Sequence, residues 1–226
     1  PVAIAHDQAI ASSNLRSSSC SPVFTDVASP TLDVATTILP AYRLHSTCQL
    51  DWGEAPDASV FYGRQQELEQ LEGWIQHDRC RLVGVFGVGG IGKTTLSVRL
   101  TQHLVDNFEF IIWRSLRNAP PLQDLLADLL AIIMPPQAAI FHSRLPESLD
   151  GRMRQLLENL RAHRCLLILD NGETILQQGD RSGTYLPGYE GYGQLLQMMG
   201  ESWHQSCLVL TSREKPNGFA IIEGSA

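Results

Sequence analysis

A glycine-rich segment at residues 87–95 constrains this chain more than any other feature of its sequence. It reads GVGGIGKTT and matches the pattern GxxxxGK[ST]. An apolar run at 81–86 precedes it, and a helical pattern beginning at Lys93 follows it. Glycines let a backbone wrap an anion with its N–H groups pointing inward, and the N-terminus of the following helix adds positive partial charge. The segment therefore predicts a phosphate-binding loop between a strand and a helix.

The residue types of this loop predict what its members do. We expect the Lys93 ammonium to reach the β- and γ-phosphates of a nucleotide, and the Thr94 hydroxyl to ligate Mg²⁺. The alternative is a glycine-rich turn that matches the pattern by chance, which the flanking strand and helix make less favourable. The loop residues expected to contact the nucleotide are Gly87, Gly89, Gly90, Ile91, Gly92, Lys93, Thr94 and Thr95.

The alternation of short apolar runs with helical patterns predicts the fold class. Continuous apolar strands are typical of a parallel sheet that is covered on both faces. We therefore predict an α/β P-loop NTPase fold, with a mostly parallel sheet and helices on both faces. Further strands are predicted at 108–113, 166–169 and 208–211, and helices at 67–76, 93–105, 121–133, 149–162 and 192–200.

Residues 1–57 differ from the rest of the chain. Serines crowd between positions 12 and 19, four prolines follow by position 56, and no helical or strand period persists. We expect an irregular linker or the remnant of an upstream domain there, and a nucleotide-binding domain over residues 58–226. The chain starts at Pro1 and ends at Ala226 without a closing signal, so we expect a piece of a longer polypeptide whose domain is C-terminally incomplete.

The net charge, the cysteine content and the lengths of the apolar runs bear on the partners and the location of this protein. A net charge of −7 and a pI of about 5.4 argue against a nucleic-acid binder, which needs a basic surface. The five cysteines are odd in number and sparse, which favours a reducing, cytoplasmic location. No run approaches the roughly 20 apolar residues that a membrane span needs, so we expect no membrane association.

Two other apolar runs end in polar residues that should meet at one edge of the sheet. CLLILD ends in Asp170, and CLVLTSR ends in Arg213. Ligands of α/β proteins bind at the carboxyl ends of parallel strands, so we expect Asp170 to be a Mg²⁺-side carboxylate and Arg213 to reach a γ-phosphate. The alternatives are that Asp170 caps the next helix and that Arg213 is an ordinary surface residue.

Together these elements resemble the NB-ARC domain of STAND-type signalling ATPases over about residues 58–215. The segment VFYGRQQE at 60–67 is similar to the hhGRxxE motif that precedes the P-loop in this family. The resemblance implies that Val60, Phe61 and Arg64 contact the adenosine part, although an ordinary turn into a helix is the alternative. It also implies that TSR at 211–213 is the sensor motif. The segments DWGEAPD, LRNAPPL and LTSREKP are similar to bacterial, especially cyanobacterial, NB-ARC proteins with C-terminal WD repeats.

One departure from the family pattern bears on hydrolysis. In this family the strand that corresponds to CLLILD usually ends in two acidic residues, but here Asp170 is followed by Asn171. An amide cannot accept a proton from water. Glu173 could substitute, or it could be a first-turn acid favoured by a helix dipole.

The sequence therefore predicts an ADP- or ATP-binding switch module with Mg²⁺, in a signal-transduction ATPase that hydrolyses slowly or not at all. The resemblance implies protein partners through C-terminal repeats and a homo-oligomer of a full-length form. One alternative is a non-enzymatic interaction or assembly fragment with a degenerate site. Another is a small-molecule P-loop kinase with Arg144, Arg152 and Arg154 in a lid. The residues predicted to act in catalysis are Lys93, Asp170, Glu173 and Arg213.

Overall fold

A parallel sheet runs through the chain in a computed structural model that describes residues 2–6, 48–57, 63–134, 145–177, 179 and 182–219. The strand order is β1-β3-β6-β5-β4-β2, and every neighbouring pair is parallel. The predicted α/β P-loop NTPase fold with a mostly parallel sheet is confirmed. The strands are β1 Val2–His6, β2 Gln49–Asp51, β3 Leu82–Phe86, β4 Phe110–Ser115, β5 Cys165–Asp170 and β6 Cys207–Ser212.

Helices cover both faces of this sheet. None of those that the structure describes is long and apolar enough to cross a membrane. The bounds match the predicted helices to within two residues, because each helix carries its apolar residues at a helical spacing. The helices are α1 Gln65–Gln76, α2 Lys93–Leu104, α3 Leu122–Ile133, α4 Leu149–Ala162 and α5 Gly191–Glu201.

The core lies in two layers, one on each side of the sheet. In β5, Leu167 and Leu169 pack with α3, α4 and α5, whereas Leu166 and Ile168 pack with α1 and α2. This alternation follows from the two-residue period of a strand. Because both faces are covered, every residue of β3, β5 and β6 is buried, which explains their continuous apolar runs.

The prediction of an irregular segment over residues 1–57 is wrong at two places. Residues 2–6 form β1 beside β3, and residues 49–51 form β2 beside β4. Both are edge strands, which pair on one side only and need no long apolar run; Leu50 is 42% exposed. Residues 7–47 and 58–62 lie outside the described residues, so the domain boundary at 57 and 58 stays a prediction.

Strand β4 extends further than its apolar run. The predicted strand at 108–113 lies at Phe110–Ser115, because Arg114 and Ser115 continue the ladder opposite Leu169 and Asp170. Arg114 also donates to both carboxylate oxygens of Asp51, at 3.0 and 3.1 Å, and so ties the short strand β2 to β4. Backbone pairing, not hydrophobicity, sets where this strand ends.

Candidate functional site

The glycine-rich loop lies at the carboxyl end of β3 and leads directly into α2. Gly90 and Gly92 have φ of 80° and 89°, in the left-handed region that glycine adopts at little cost. The Gly87 amide donates to the Ser212 carbonyl at 3.2 Å, which ties the start of the loop to the end of β6. The Leu96 amide donates to the Gly92 carbonyl at 2.9 Å, which begins the helix. The loop is therefore anchored at both ends.

Lys93 is held inside this loop. Its Nζ donates to the carbonyl oxygens of Gly87, at 2.7 Å, and Val88, at 3.0 Å, and the residue is buried. A cation in the first turn of a helix is unfavourable, because the helix N-terminus already carries positive partial charge. An anion bound at the loop would relieve that repulsion.

A carboxylate and two hydroxyls converge beside the loop. Thr94 Oγ1 donates to Asp170 Oδ1 at 2.9 Å and lies 3.1 Å from Oδ2, and Thr211 Oγ1 donates to Oδ1. The backbone amide of Asn171 in turn donates to Thr211 Oγ1 at 3.2 Å. The Asp170 carboxylate therefore bonds to hydroxyls and does not cap the short 3₁₀ helix that follows at Gly172–Ile175.

This donor set fits Mg²⁺. The ion prefers oxygen ligands, takes one or two from the protein, and completes its shell with water and phosphate oxygens. Thr94 and Asp170 supply a hydroxyl and a carboxylate in contact with each other. Within the described ranges no group of three or more His, Cys, Asp or Glu side chains could hold a metal by itself. Any Mg²⁺ here would therefore need further oxygen ligands from water or from phosphate.

Glu173 and Arg213 meet across the ends of β5 and β6. Arg213 Nε lies 3.0 Å from Glu173 Oε1, and the Arg213 amide donates to Glu173 Oε2 at 3.2 Å. A Cβ placed on Gly89 would lie 3.2 Å from Arg213 Cζ, so the guanidinium packs against the loop. Glu173 lies in the first turn of the 3₁₀ helix at Gly172–Ile175, as the first-turn alternative expects, but neither alternative anticipated its pairing with Arg213. Both residues lie where the sequence predicts, at the carboxyl edge of the sheet.

Arg64 also contacts the loop. It lies just before α1 with a left-handed φ of 58°, and its Nη1 donates to the Ile91 carbonyl at 2.9 Å. Its Nε also lies 3.2 Å from Glu67 Oε1, so the two charged residues of the GRxxE segment are paired. Val60 and Phe61 lie outside the described residues. Whether Arg64 contacts adenosine stays a prediction.

The structure brings most of the predicted site residues to one cleft of about 260 Å³. Gly87 and Ile91 are not among the lining residues, and their carbonyls accept hydrogen bonds from Lys93 and Arg64 respectively. The individual roles of these residues stay predictions. The cleft is lined by Gly89, Gly90, Gly92, Lys93, Thr94, Thr95, Asp170, Asn171, Glu173, Thr211 and Arg213.

Sequence reasoning did not single out Arg117, a charged residue at this edge. Arg117 lines two adjoining hollows, of about 620 and 420 Å³, that also border Asn171. Its amide donates to Ser115 Oγ at 3.3 Å, and Ser115 Oγ lies 3.4 Å from Asn171 Oδ1. The available signal was its position just after an apolar strand, which is the same position that singled out Asp170 and Arg213.

Comparison with known proteins places this site in a family. The NB-ARC domain model matches residues 64–177. An uncharacterized WD repeat-containing protein of Nostoc sp. is 53% identical over 184 residues, which is 78% of this chain and 14% of that protein. A probable disease resistance protein of Arabidopsis thaliana is 30% identical over 152 residues, covering 65% of this chain and 16% of that protein.

Among solved structures, a Walker-type ATPase of Pyrococcus abyssi aligns with a TM-score of 0.46 and 17% identity, over 67% of this chain and 45% of that one. The chain thus spans only a small part of the curated relatives it matches. Because the family model covers half of the chain, and the matched residues build a P-loop at the edge of a parallel sheet, the chain belongs to the NB-ARC family and contains a P-loop NTPase nucleotide-binding module.

Proposed function

We propose that this module is the ADP- or ATP-binding switch of a longer STAND-type signalling ATPase, with slow or absent hydrolysis. One observation carries the proposal. The Thr94 hydroxyl and the Asp170 carboxylate lie 2.9 Å apart at the mouth of a loop that holds Lys93 inside it. This arrangement supplies the cation, the anchoring amides and the oxygen ligands that a Mg²⁺–nucleotide needs.

The phosphates bind in the loop. Its amides donate to the phosphate oxygens, and Lys93 exchanges its present carbonyl acceptors for charged ones, which form stronger hydrogen bonds. Arg64 supports the loop through the Ile91 carbonyl. The resemblance to the family also implies that Val60 and Phe61 contact the adenosine part. Thr94 and Asp170 would hold Mg²⁺, which would neutralise phosphate charge.

Arg213 is the residue that distinguishes the two nucleotides. Without a terminal phosphate its guanidinium stays with Glu173, at 3.0 Å. A γ-phosphate offers a second anion near the loop, and Arg213 leaves Glu173 for it. Because Arg213 follows β6, this exchange of partners changes the contacts at the end of that strand. The two positions of one side chain are the switch.

Hydrolysis is slow because, among the described residues that line the cleft, each carboxylate already has a hydrogen-bond or ion-pair partner. Asn171 occupies the position of a second acid and cannot accept a proton. Glu173 is the other carboxylate of the cleft besides Asp170, and it is paired with Arg213. Glu173 therefore acts first on Arg213, and only secondarily on water.

The proposed setting is a cytoplasmic signalling protein. Protein partners would bind through repeats in a longer chain, and the longer form would assemble as a homo-oligomer. The similarity to a WD repeat-containing protein supports this setting, and the net charge of −7 makes nucleic acid an unsuitable partner.

The first test is nucleotide binding. Mass spectrometry of the purified chain should find retained ADP or ATP. A nucleotide at 100 times its Kd stabilises a fold by about 2.7 kcal/mol, which is a rise in Tm of about 5–11 °C for a chain of this size. We expect ADP–Mg²⁺ to give this rise, and Lys93→Ala to abolish it.

The matched control is Lys215→Ala, which removes the same charge from a residue that does not line the cleft. It should keep the full ADP-dependent rise. The proposal would be contradicted if ADP–Mg²⁺ left the Tm of the wild-type chain unchanged and the purified chain carried no nucleotide. That result would favour an assembly fragment with a degenerate site.

Phosphate release then separates the roles of Glu173. If Glu173 positions Arg213, Glu173→Gln leaves the slow turnover unchanged but narrows the difference between the ADP and ATP affinities. If Glu173 is the base, turnover falls by about 10²-fold or more. A small-molecule kinase has weaker support, because Arg152, one of its lid candidates, already donates to the carbonyls of Pro146 and Gln123.

A further inference from the structure

A second cleft, of about 280 Å³, lies at the amino ends of the strands, a strand's length of roughly 20 Å from the nucleotide site. Its apolar floor includes Ile75 and Phe108, both buried. Two arginines, Arg79 and Arg164, and the 72% exposed Trp203 also line it. We call this the amino-end cleft.

The Arg164 guanidinium is only partly satisfied. Its Cζ lies 4.8 Å from the centroid of the Phe108 ring, which holds it at the cleft wall. Its Nε is buried and has no hydrogen-bond partner in the described structure. Across the ranges that the structure describes, no ion pair joins Arg164 or Arg79 to a carboxylate. A buried donor without an acceptor destabilises the free chain.

The second arginine increases this cost. Burial lowers the pKa of Arg164, and the positive charge of the nearby Arg79 lowers it further. Arg79 also has a left-handed φ of 54°, a conformation that is unfavourable for a residue with a Cβ. Two cations that repel each other, one of them desolvated, are relieved by an anion that binds between them.

The apolar lining indicates what else the ligand carries. Trp and Arg are the residue types that contribute most to binding at protein interfaces, and here they line one small cleft with an apolar floor. A guanidinium matches a carboxylate by two parallel hydrogen bonds. The chain is acidic overall, so an acidic segment needs a local cationic site such as this one to dock on it.

We propose that the amino-end cleft binds an acidic peptide segment of a protein partner. A carboxylate enters between Arg79 and Arg164, and a neighbouring apolar side chain packs on Trp203. The site is separate from the nucleotide cleft, and the proposal does not depend on which nucleotide is bound there.

The experiment measures binding of a fluorescein-labelled, end-blocked peptide of alternating glutamate and leucine to the full chain. We expect saturable binding that weakens with salt and that the matching glutamine peptide lacks. Arg164→Gln and Arg79→Gln should each weaken binding about tenfold, since each removes a charge-assisted hydrogen bond. Trp203→Ala should weaken binding of this peptide but not of one in which alanine replaces leucine.

The matched control is Arg154→Gln, which removes the same charge from an exposed position on α4 outside the cleft. It should bind as the wild type does. The far-UV circular dichroism and cooperative thermal unfolding of each variant show whether it is folded, independently of either ligand.

Three outcomes would overturn the proposal. The first is equal binding of the glutamine peptide, or an equal loss in Arg154→Gln. The second is that inorganic phosphate displaces all of the bound peptide and that the peptides with and without leucine bind with the same affinity. That result would identify a site for simple anions. The third is no peptide binding together with self-association that the arginine variants abolish, which would assign the cleft to a second copy of the chain.

Discussion

The two ends of the same strands carry polar clusters of different kinds. At the carboxyl end, the hydroxyls of Thr94 and Thr211 donate to the Asp170 carboxylate, so side chains from three elements bond to one another. At the amino end, Ser206 and His204 bond to backbone. Ser206 Oγ accepts from the Cys165 amide at 2.9 Å, and lies 2.9–3.0 Å from two carbonyl oxygens.

The His204 ring completes the amino-end cluster. Its Nε2 lies 2.9 Å from the Met199 carbonyl, and its Nδ1 accepts from the Ser206 amide at 3.2 Å. Every polar group of the ring is therefore used. The Asp170 carboxylate, in contrast, has acceptor capacity left after two hydroxyls, since a carboxylate offers about four lone-pair sites. A buried polar residue at a sheet edge indicates a ligand site only when its bonding is incomplete.

The largest effect should come from the carboxyl end. We expect Asp170→Asn to remove the Mg²⁺-dependent part of the ADP-induced stabilisation, which is up to about 2.7 kcal/mol at 100 times Kd. The free energy of unfolding without nucleotide should change by less than about 1 kcal/mol, because the amide keeps an oxygen for a hydroxyl. Thermal unfolding with ADP, with and without Mg²⁺, measures both. If Mg²⁺ added the same stabilisation to the variant as to the wild type, Asp170 would not be a ligand of the metal.

The amino end should show the opposite pattern, in which the stability of the free chain changes and the effect of ADP does not. Ser206→Ala leaves the buried Cys165 amide without its acceptor, so the free energy of unfolding should fall by about 1–3 kcal/mol. The ADP-induced rise in stability should not change. Urea unfolding measures the loss, and Ser182→Ala is the control, because it removes a serine hydroxyl that is exposed and bonds to the Thr184 hydroxyl. A change in the ADP-induced rise in stability in Ser206→Ala would contradict the distinction drawn between the two ends of the strands.

The smallest effect is a pH dependence that also belongs to the amino end. Burial lowers the pKa of His204 below its ordinary value of 6.5. The unfolded chain therefore binds more protons as the pH falls below 6.5, and the free energy of unfolding decreases until the folded-state pKa is passed. Urea unfolding over this range should show a weaker dependence in His204→Gln. Identical slopes in the two chains would show that His204 is not the titrating group.

The fold was predictable where burial is complete. Strands β3, β5 and β6 are buried at every residue, so each appears in the sequence as a continuous apolar run. The edge strands β1 and β2 were not predicted. Strand β2 has three residues, and it is held by backbone pairing with β4 and by the Arg114–Asp51 pair, which joins residues 63 positions apart. No local pattern contains that contact.

The site was predictable from single motifs but not from their combination. The loop and Asp170 each follow from a strand that ends in characteristic residues. The pairing of Glu173 with Arg213 does not, because it depends on β5 and β6 being neighbours in the sheet. Sequence order gives no reason to place β6 between β3 and β5. Arg117 was missed for a related reason, since its role depends on which hollows open beside Asn171.

The backbone at Asn171 has a consequence for how this family member could change. Its φ of 64° is left-handed, a conformation that asparagine and aspartate tolerate better than other residues with a side chain. Aspartate would therefore fit this position with no rearrangement of the main chain. Under the proposed function, one oxygen in place of one NH₂ group separates a protein that stores its nucleotide from one that consumes it. Evolution could cross that boundary in either direction and leave the architecture intact.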